Sequence, residues 1–308
     1  MASASPQSPA VQSATTDPAS LQAQIQDGKT VFAIFDACDT PAVPERMKRH
    51  GQAAACLYSG KAERDYWAIA PYVAQIDEPL LEWCIETVWS DPWGILLTGS
   101  TDLESIRKHF KRMLVAKGPD GPLSFRFYDP RVLPAYLRSA TREEVEEFFG
   151  PVESFLIVSD PEELTVFTPT GGGETGRKLF NQPGRRIAFD QPRIDAIVRA
   201  QQMDFVFRLE QHLLETLPDK QWPQSAPGGR PLLSIIETGI KRARRYQLTK
   251  ECDVATYIEL NCTHHDAFQS ADPLPVRNFL FDRRVEIAER LTKVADWFET
   301  HSPVKAGV

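Results

Sequence analysis

Beyond residue 30 the chain alternates short apolar runs with stretches whose apolar residues recur every three or four positions. Residues 31–35 form an unbroken apolar run closed by Asp36, and residues 53–58 form a second, closed by Ser59 and Gly60. Each reads as a strand, with a short helix over 41–50 between them. Residues 67–76 read as a third strand, and Pro71 places it at an edge or a bend. Leu81, Cys84, Ile85 and Val88 then return at helical spacing, and residues 93–97 are strand-like again.

Two capping boxes sharpen the next helices. Thr101 with Glu104, and Thr141 with Glu144, each offer side chains to the free backbone N–H groups of a first turn. Behind the first, Leu103, Ile106, Phe110 and Met113 form one apolar stripe, with Arg107, Lys108, Lys111 and Arg112 towards the helix end, where cations suit the dipole. Behind the second come Val145, Phe148 and Phe149, and Gly150-Pro151 stops the helix. Runs 155–158 and 164–167 read as strands joined by a turn at Asp160-Pro161.

Residues 168–186 are rich in Gly, Pro and Thr. After them the patterns are helical: Ile194, Ile197 and Val198 lead into Phe205, Leu209 and Leu213; Leu233, Ile236, Ile240 and Ala243 make another stripe; a further helix is expected over 281–298. The chain therefore reads as α+β, with an N-terminal mixed α/β lobe built on a mixed β-sheet and a C-terminal all-helical lobe. The expected organisation is a disordered leader over 1–29, the α/β lobe over 30–170, a linker over 171–190, the helical lobe over 191–300 and a tail over 301–308.

Composition narrows the classes. A chain of 308 residues can bury a large core without metals or disulfides. Its formal net charge of −7 gives no electrostatic reason for general binding to nucleic acid or to an anionic membrane. No apolar run approaches the length needed to cross a bilayer. Up to Gln26 the only charge is Asp17, among Ala, Ser, Pro, Gln and Thr, so a secretory signal is not expected. The five cysteines are widely spaced and read as reduced thiols, which makes the cytoplasm the expected compartment.

Candidate chemistry is sparse. The chain carries no G-x-S-x-G, no complete G-x-x-x-x-G-K-S/T phosphate loop and no H-E-x-x-H. Gly171, Gly172 and Gly173 read as a linker and not as a phosphate cradle. Cys252, Cys262, His264 and His265 have metal-ligand chemistry without metal-ligand spacing, so no metal and no cofactor is expected. Lys241, Arg242, Arg244 and Arg245 fan over half a helix opposite its apolar stripe and read as a solvated face. Trp67, Trp83, Trp89 and Trp93 crowd into 27 residues, as core packing or as an interface.

The most structured motif is F-R-F-Y-D-P-R-V-L at 125–133. Phe125 and Phe127 alternate with Arg126 and Tyr128 as a half-buried strand requires. Asp129 fits an N-cap contributing about 1 kcal/mol, and Pro130 fits the first helical position. The expectation is a strand-to-helix corner tied by an Arg–Asp contact, with a ligand role for Arg126 or Arg131 as the other possibility.

This motif resembles the signature of the type VI secretion effector adaptor (chaperone) family, the Tap/TEC proteins. Further pieces follow in order: the strand ending Phe35-Asp36, L-Y-S-G at 57–60, P-Y-V at 71–73, W-G-I-L-L-T-G-S at 93–100, H-F-K-R at 109–112 and F-F-G-P at 148–151. Ala70 stands where the family pattern has Gly, and Phe110 where it has Leu. The resemblance covers roughly residues 30–170. It implies a non-enzymatic protein that binds a toxic effector in the cytoplasm and helps load it onto the VgrG spike. It makes Arg126, Phe127, Tyr128, Asp129, Pro130 and Arg131 structural or partner-binding residues. Trp67, Tyr72, Trp93 and Arg112 are the candidate partner surface. The alternatives are a hydrolase using scattered carboxylates or the 252–265 region, and a regulatory module binding an anion or nucleic acid at 241–245.

Overall fold

The computed structural model describes residues 10–38, 40–170, 187–217, 231–264 and 272–301. The chain divides into two compact units, 1–201 and 202–308.

The first unit is built on a seven-stranded sheet. Its strands are β1 (Val11–Thr16), β2 (Val31–Asp36), β3 (Ala54–Cys56), β4 (Pro71–Gln75), β5 (Gly94–Thr98), β8 (Ser154–Asp160) and β9 (Glu163–Pro169), in the order β1-β9-β8-β5-β2-β4-β3. A separate hairpin pairs β6 (Val115–Gly118) with β7 (Gly121–Ser124). The expected mixed sheet is in fact antiparallel at every pairing between its strands. Alternation of strands and helices suggests parallel neighbours. Here β4 and β5 do run the same way, but β2 lies between them and is antiparallel to both.

Both faces of this sheet are covered, and every residue of β2 is buried. Phe32 and Ile34 point to one side, where they meet Ile106, Phe110 and Met113 of α5 (Leu103–Met113), Leu133 of α6 (Leu133–Ser139), and Phe148 of α7 (Arg142–Phe149). Val31, Ala33 and Phe35 point to the other. That side holds Leu21 of α1 (Pro18–Gln26), Met47 of α2 (Val43–His50), and Leu80 and Cys84 of α4 (Glu78–Thr87). An unbroken apolar run, in place of alternation, is what a strand buried on both faces requires. Pro71 opens β4, which is an interior strand; a first residue is the one place where a missing N–H costs an interior strand little. The chain before it, α3 (Lys61–Tyr66) and a 3₁₀ turn over Trp67–Ile69, is not strand.

Residues 11–26, expected as part of a disordered leader, are ordered. β1 pairs with β9, and α1 buries Leu21 completely. The local signal is Asp17-Pro18: the Asp17 carboxylate accepts the Ser20 N–H at 2.7 Å, and Pro18 occupies the first turn. The capping box at Thr141 and Glu144 is present. At α5 the cap falls one residue later than expected, because Asp102 accepts both the N–H and the hydroxyl of Ser105, at 2.9 and 2.7 Å.

Two close approaches fix the packing. A Cβ on Gly94 would stand 2.2 Å from the Ile34 carbonyl oxygen, so only glycine lets β5 start beside β2. Gly150, with φ 51°, ends α7 and lies against the His109 ring; a Cβ there would stand 2.4 Å from its Cε1. His109 is buried, its Nε2–H donates to the Phe148 carbonyl at 2.8 Å, and Arg112 approaches its Nδ1 at 3.5 Å.

In the second unit α8 (Gln191–Thr216), whose first turns belong to the first unit, continues with Phe205, Leu209 and Leu213 in a helical core. It is joined by α9 (Pro231–Arg245), α10 (Glu251–His264), α11 (Leu274–Phe281) and α12 (Ile287–His301). The buried stripe of α9 is Leu232, Ile235, Ile236, Ile240 and Ala243, with Leu233 turned partly outward. The helix expected over 281–298 starts later, at Ile287, and Phe281 instead ends the separate helix before it. The break falls where the Asp282 carboxylate accepts the Arg284 N–H and Nε, and where buried Arg290 donates to the Val285 carbonyl at 2.6 Å and to the Leu280 carbonyl at 3.4 Å. Asp272 is buried and accepts the hydroxyls of Tyr246 and Tyr257, at 2.5 and 2.9 Å.

Burial holds the His109 imidazole down at about 4 against an ordinary 6.5, outweighing its bond to Phe148. The unfolded chain therefore takes up this proton first, and stability is full above pH 6.5 and lost as pH falls towards 4. Between those limits this residue should cost about 3 kcal/mol. His109→Gln keeps a donor for the Phe148 carbonyl without a titrating ring. Denaturant unfolding of both proteins from pH 7 to 4 should show a shallower loss in the variant; parallel curves would refute the assignment.

Candidate functional site

The 125–133 motif does not form the half-buried strand expected of it. β7 ends at Ser124, and Phe125, Phe127 and Tyr128 are all buried in a turn-rich segment. The backbone turns from Phe127 onward, so the segment does not follow the alternation of a strand. Phe127 lies 5.1 Å from Phe110 and 5.6 Å from Phe148, and Phe125 lies 4.9 Å from both Tyr136 and Phe189. The aromatic side of the motif is core.

Its charged residues make two ties. Asp129 is not the N-cap of α6, whose cap position is Val132 with no side-chain bond. Its N–H donates to the Arg126 carbonyl at 3.0 Å and its own carbonyl accepts from Val132 at 2.9 Å. Its carboxylate accepts the Arg131 N–H at 2.9 Å and, bidentately, Nε at 2.8 Å and Nη2 at 2.7 Å. With Pro130 between them, Asp129 and Arg131 lock the turn. The second tie is long-range. Arg126 leaves the aromatic core and its Nη2 donates to Oδ2 of Asp36, the buried last residue of β2, 90 positions earlier. The other Asp36 oxygen accepts the Cys38 N–H at 3.0 Å.

The hydroxyls of Tyr58 and Tyr128 lie beside this pair and influence each other electrostatically. Burial pushes the Asp36 carboxyl above its ordinary 3.8, and the Arg126 guanidinium beside it pulls the other way. Burial likewise raises the Tyr58 and Tyr128 hydroxyls, with the Asp36 charge adding to it. Acid and cation satisfy one another here, and the arrangement holds three chain segments in place.

The same end of the sheet carries an apolar rim. Asp36 is level with Pro71, and Cys56, two residues before Tyr58, is level with Tyr72. Immediately before Pro71 stand Tyr66, Trp67 and Ile69, exposed by 54, 39 and 48%. The Tyr72 hydroxyl donates to the Trp67 carbonyl at 2.7 Å, and Lys48 Nζ sits 4.0 Å above the Trp67 ring.

Of the four residues expected at a partner surface, then, Trp67 is exposed and Tyr72 half-buried beneath it. Arg112 is exposed, with its guanidinium reaching back to His109. Trp93 is 1% exposed, its ring 5.0 Å from Phe35 and stacked 6.0 Å from Trp89, so it belongs to the core. The aromatic crowding around it closes the α1–α2–α4 side of the sheet. Tyr66 and Ile69 were not singled out from sequence, although W-A-I followed by Ala-Pro marks an apolar run that cannot continue as a strand.

Elsewhere, Lys241, Arg244 and Arg245 are exposed on α9, but Arg242 turns towards Asp272 at 4.0 Å. Cys252 is exposed, Cys262 buried, and His264 stacks on Phe298; His265 and Gly171–Gly173 lie outside the described residues. Among the described residues no three His, Cys, Asp or Glu side chains converge on a point that could hold a metal, and no helix is long and apolar enough to cross a membrane.

Two substitutions separate the ties. Asp129→Ala strips the carboxylate from a guanidinium that is itself largely buried, so it should cost about 3 kcal/mol, more than a helix cap. Arg126→Met, at a half-exposed arginine, should cost about 1–2 kcal/mol at pH 7. That second cost should shrink as pH falls towards 3.8, because the buried Asp36 carboxyl, raised further without its cation, takes up a proton in the folded state first. Urea unfolding at several pH values reads both; a pH-independent Arg126→Met deficit would break the Asp36 link.

Residues 31–147 match a family model described as a domain of unknown function (DUF4123). No curated protein and no solved structure matches the chain. The matched span begins at β2, which carries Asp36, and includes the whole 125–132 turn, so both ends of the Asp36–Arg126 tie lie within it.

Proposed function

We propose that this protein is a non-enzymatic cytoplasmic adaptor that binds a type VI secretion effector and helps load it onto the VgrG spike. The observation that carries the reading is the Tyr66–Trp67–Ile69 rim, an exposed aromatic and aliphatic patch held on the sheet end that the Asp36–Arg126 tie fixes. Support comes from the family match over 31–147, from the ordered motifs that resemble the adaptor family, and from the way the motif residues satisfy one another. An adaptor holds and releases its cargo without chemistry, so it needs apolar anchors with a polar rim on a rigid frame. Tyr, Trp and Ile flanked by Lys48 and Glu45 have that character. In this reading the α/β unit holds one partner and the helical unit contributes to choosing the other.

Co-expression with a candidate effector and with VgrG, followed by affinity capture and light scattering, should yield a complex of defined mass without added nucleotide or metal. Trp67→Ala combined with Ile69→Ser should weaken effector capture at least about tenfold, as loss of an interface anchor does, with the melting temperature unchanged. Undiminished capture by that variant would move the interface elsewhere. Failure to capture either partner with all components folded would remove the adaptor reading.

A further inference from the structure

The sheet of the first unit has two edges, and they are finished differently. β3 is three residues long, and its outward carbonyl at Cys56 accepts Nε of Arg107 at 3.0 Å. A short strand whose edge is capped by a cation is a protected edge. β1, at the other end of the sheet, is six residues long, V-Q-S-A-T-T, with no charge, no proline and no bulge in its pairing to β9. Among the described residues no strand lies on its other side.

The register fixes which backbone groups that edge presents. The Thr170 N–H donates to the Ala10 carbonyl at 3.0 Å, and Val11 is level with Pro169. In an antiparallel ladder hydrogen-bonded and non-hydrogen-bonded pairs alternate. Gln12, Ala14 and Thr16 therefore bond inward to β9, and Val11, Ser13 and Thr15 turn their N–H and C=O groups outward. Proline at 169, which has no N–H, falls at a non-bonded position, in keeping with this phase.

We propose that β1 is the docking edge for a second copy of this chain, pairing antiparallel about a two-fold axis at Ser13. The three outward residues are spaced evenly about Ser13, so the edge is complementary to itself. Ser13 pairs with Ser13, and Val11 pairs with Thr15 twice, each pair exchanging two hydrogen bonds. The interleaved positions bring Gln12 opposite Ala14. No like charges meet anywhere along the pairing, because residues 11–16 carry none. A cargo strand is the less suitable occupant. Strand addition draws its specificity from the side chains alongside the backbone ladder, and Ser13, Ala14 and Thr15 are small, uncharged and exposed. Such an edge cannot choose among cargoes, whereas a second copy pairs all three outward residues in one two-fold register, that centred on Ser13, without side-chain readout.

Ser13→Pro is the discriminating variant. It removes an N–H that points outward, costs no bond to β9, and sits where an edge strand tolerates proline. Sedimentation equilibrium of the full chain, up to several hundred micromolar, should show wild type moving from 34.7 kDa to twice that mass. Ser13→Pro should stay at 34.7 kDa with an unchanged melting temperature. A disulfide trap reads the geometry independently of that variant's folding. Cα atoms of a hydrogen-bonded antiparallel pair lie about 5.5 Å apart, within disulfide reach. Ser13→Cys should therefore cross-link to itself under mild oxidation, whereas Gln12→Cys, whose opposite residue is Ala14, should not exceed wild type with its own exposed Cys38 and Cys252. Three results would overturn the proposal: a wild type that stays monomeric and untrapped, a dimer that survives in Ser13→Pro, or a monomer whose effector capture is lost in Ser13→Pro, which would assign the edge to cargo.

Discussion

A strand buried on both faces cannot end on a carboxylate unless something supplies a partner for it, and much of the first unit is arranged around that requirement at Asp36. A lone ionised carboxylate in such a place would cost several kcal/mol. The last residue of β2 takes the Cys38 N–H on one oxygen and Arg126 on the other. For Arg126 to arrive there, the 125–132 segment must leave strand geometry, bury Phe125, Phe127 and Tyr128 against α5 and α7, and turn sharply enough to present its guanidinium. Asp129 and Arg131 hold that turn, so the local tie serves the long-range one. The two ends of the pair are 90 residues apart, and its formation records that the central strand and the motif have found each other.

The consequence for binding is rigidity at the rim. Pro71 stands level with Asp36, and the Trp67–Ile69 turn feeds directly into it. An exposed tryptophan on a free loop would have to be ordered on docking, at a cost of about 0.5–1.5 kcal/mol for each side chain immobilised. Here the Tyr72 hydroxyl holds the Trp67 carbonyl and Lys48 covers its ring, so part of that ordering exists before any partner arrives. In the proposed adaptor, residues away from the rim, such as Asp36 and Arg126, would thus govern how well the rim binds.

Much of this was legible in the sequence where the physics is local. The unbroken apolar run of β2, the Thr141–Glu144 box, the Gly150-Pro151 stop and the Asp160-Pro161 turn are decided by residues within a few positions of each other, and each appears as read. Contacts between distant segments were not legible. Strand order is set by what lies between β4 and β5, and no periodicity reports that β2 fills the gap. The alternation at 125–128 reads as a strand because two phenylalanines flank an arginine, and no local pattern reports the distant Asp36 that Arg126 bonds in the folded chain. Trp93 and Trp67 carry the same side chain in similar surroundings, yet one is core and the other rim, since burial depends on which face of which layer each reaches. Asp17-Pro18 was a readable helix start that composition masked, because a polar, charge-poor leader otherwise looks unable to fold.

That leader also changes how the sheet ends. Without β1, the outermost strand on that side would be β9, carrying the Leu164, Val166 and Phe167 side chains and a hydrogen-bonding edge beside them. β1 covers that edge with Gln, Ser and Thr, which lowers the apolar content of the exposed margin, while Val11, Ser13 and Thr15 turn their own N–H and C=O groups outward. Protection of the kind Arg107 gives β3 requires a charge aimed at the edge backbone, and residues 11–16 supply none. Arg107 is bonded to the three-residue edge, whereas the six-residue strand carries no charge of its own, so the two strands differ in a property that controls strand addition. Selection against indiscriminate pairing would act first on the longer edge, and the proposed pairing of a second copy there would meet that demand.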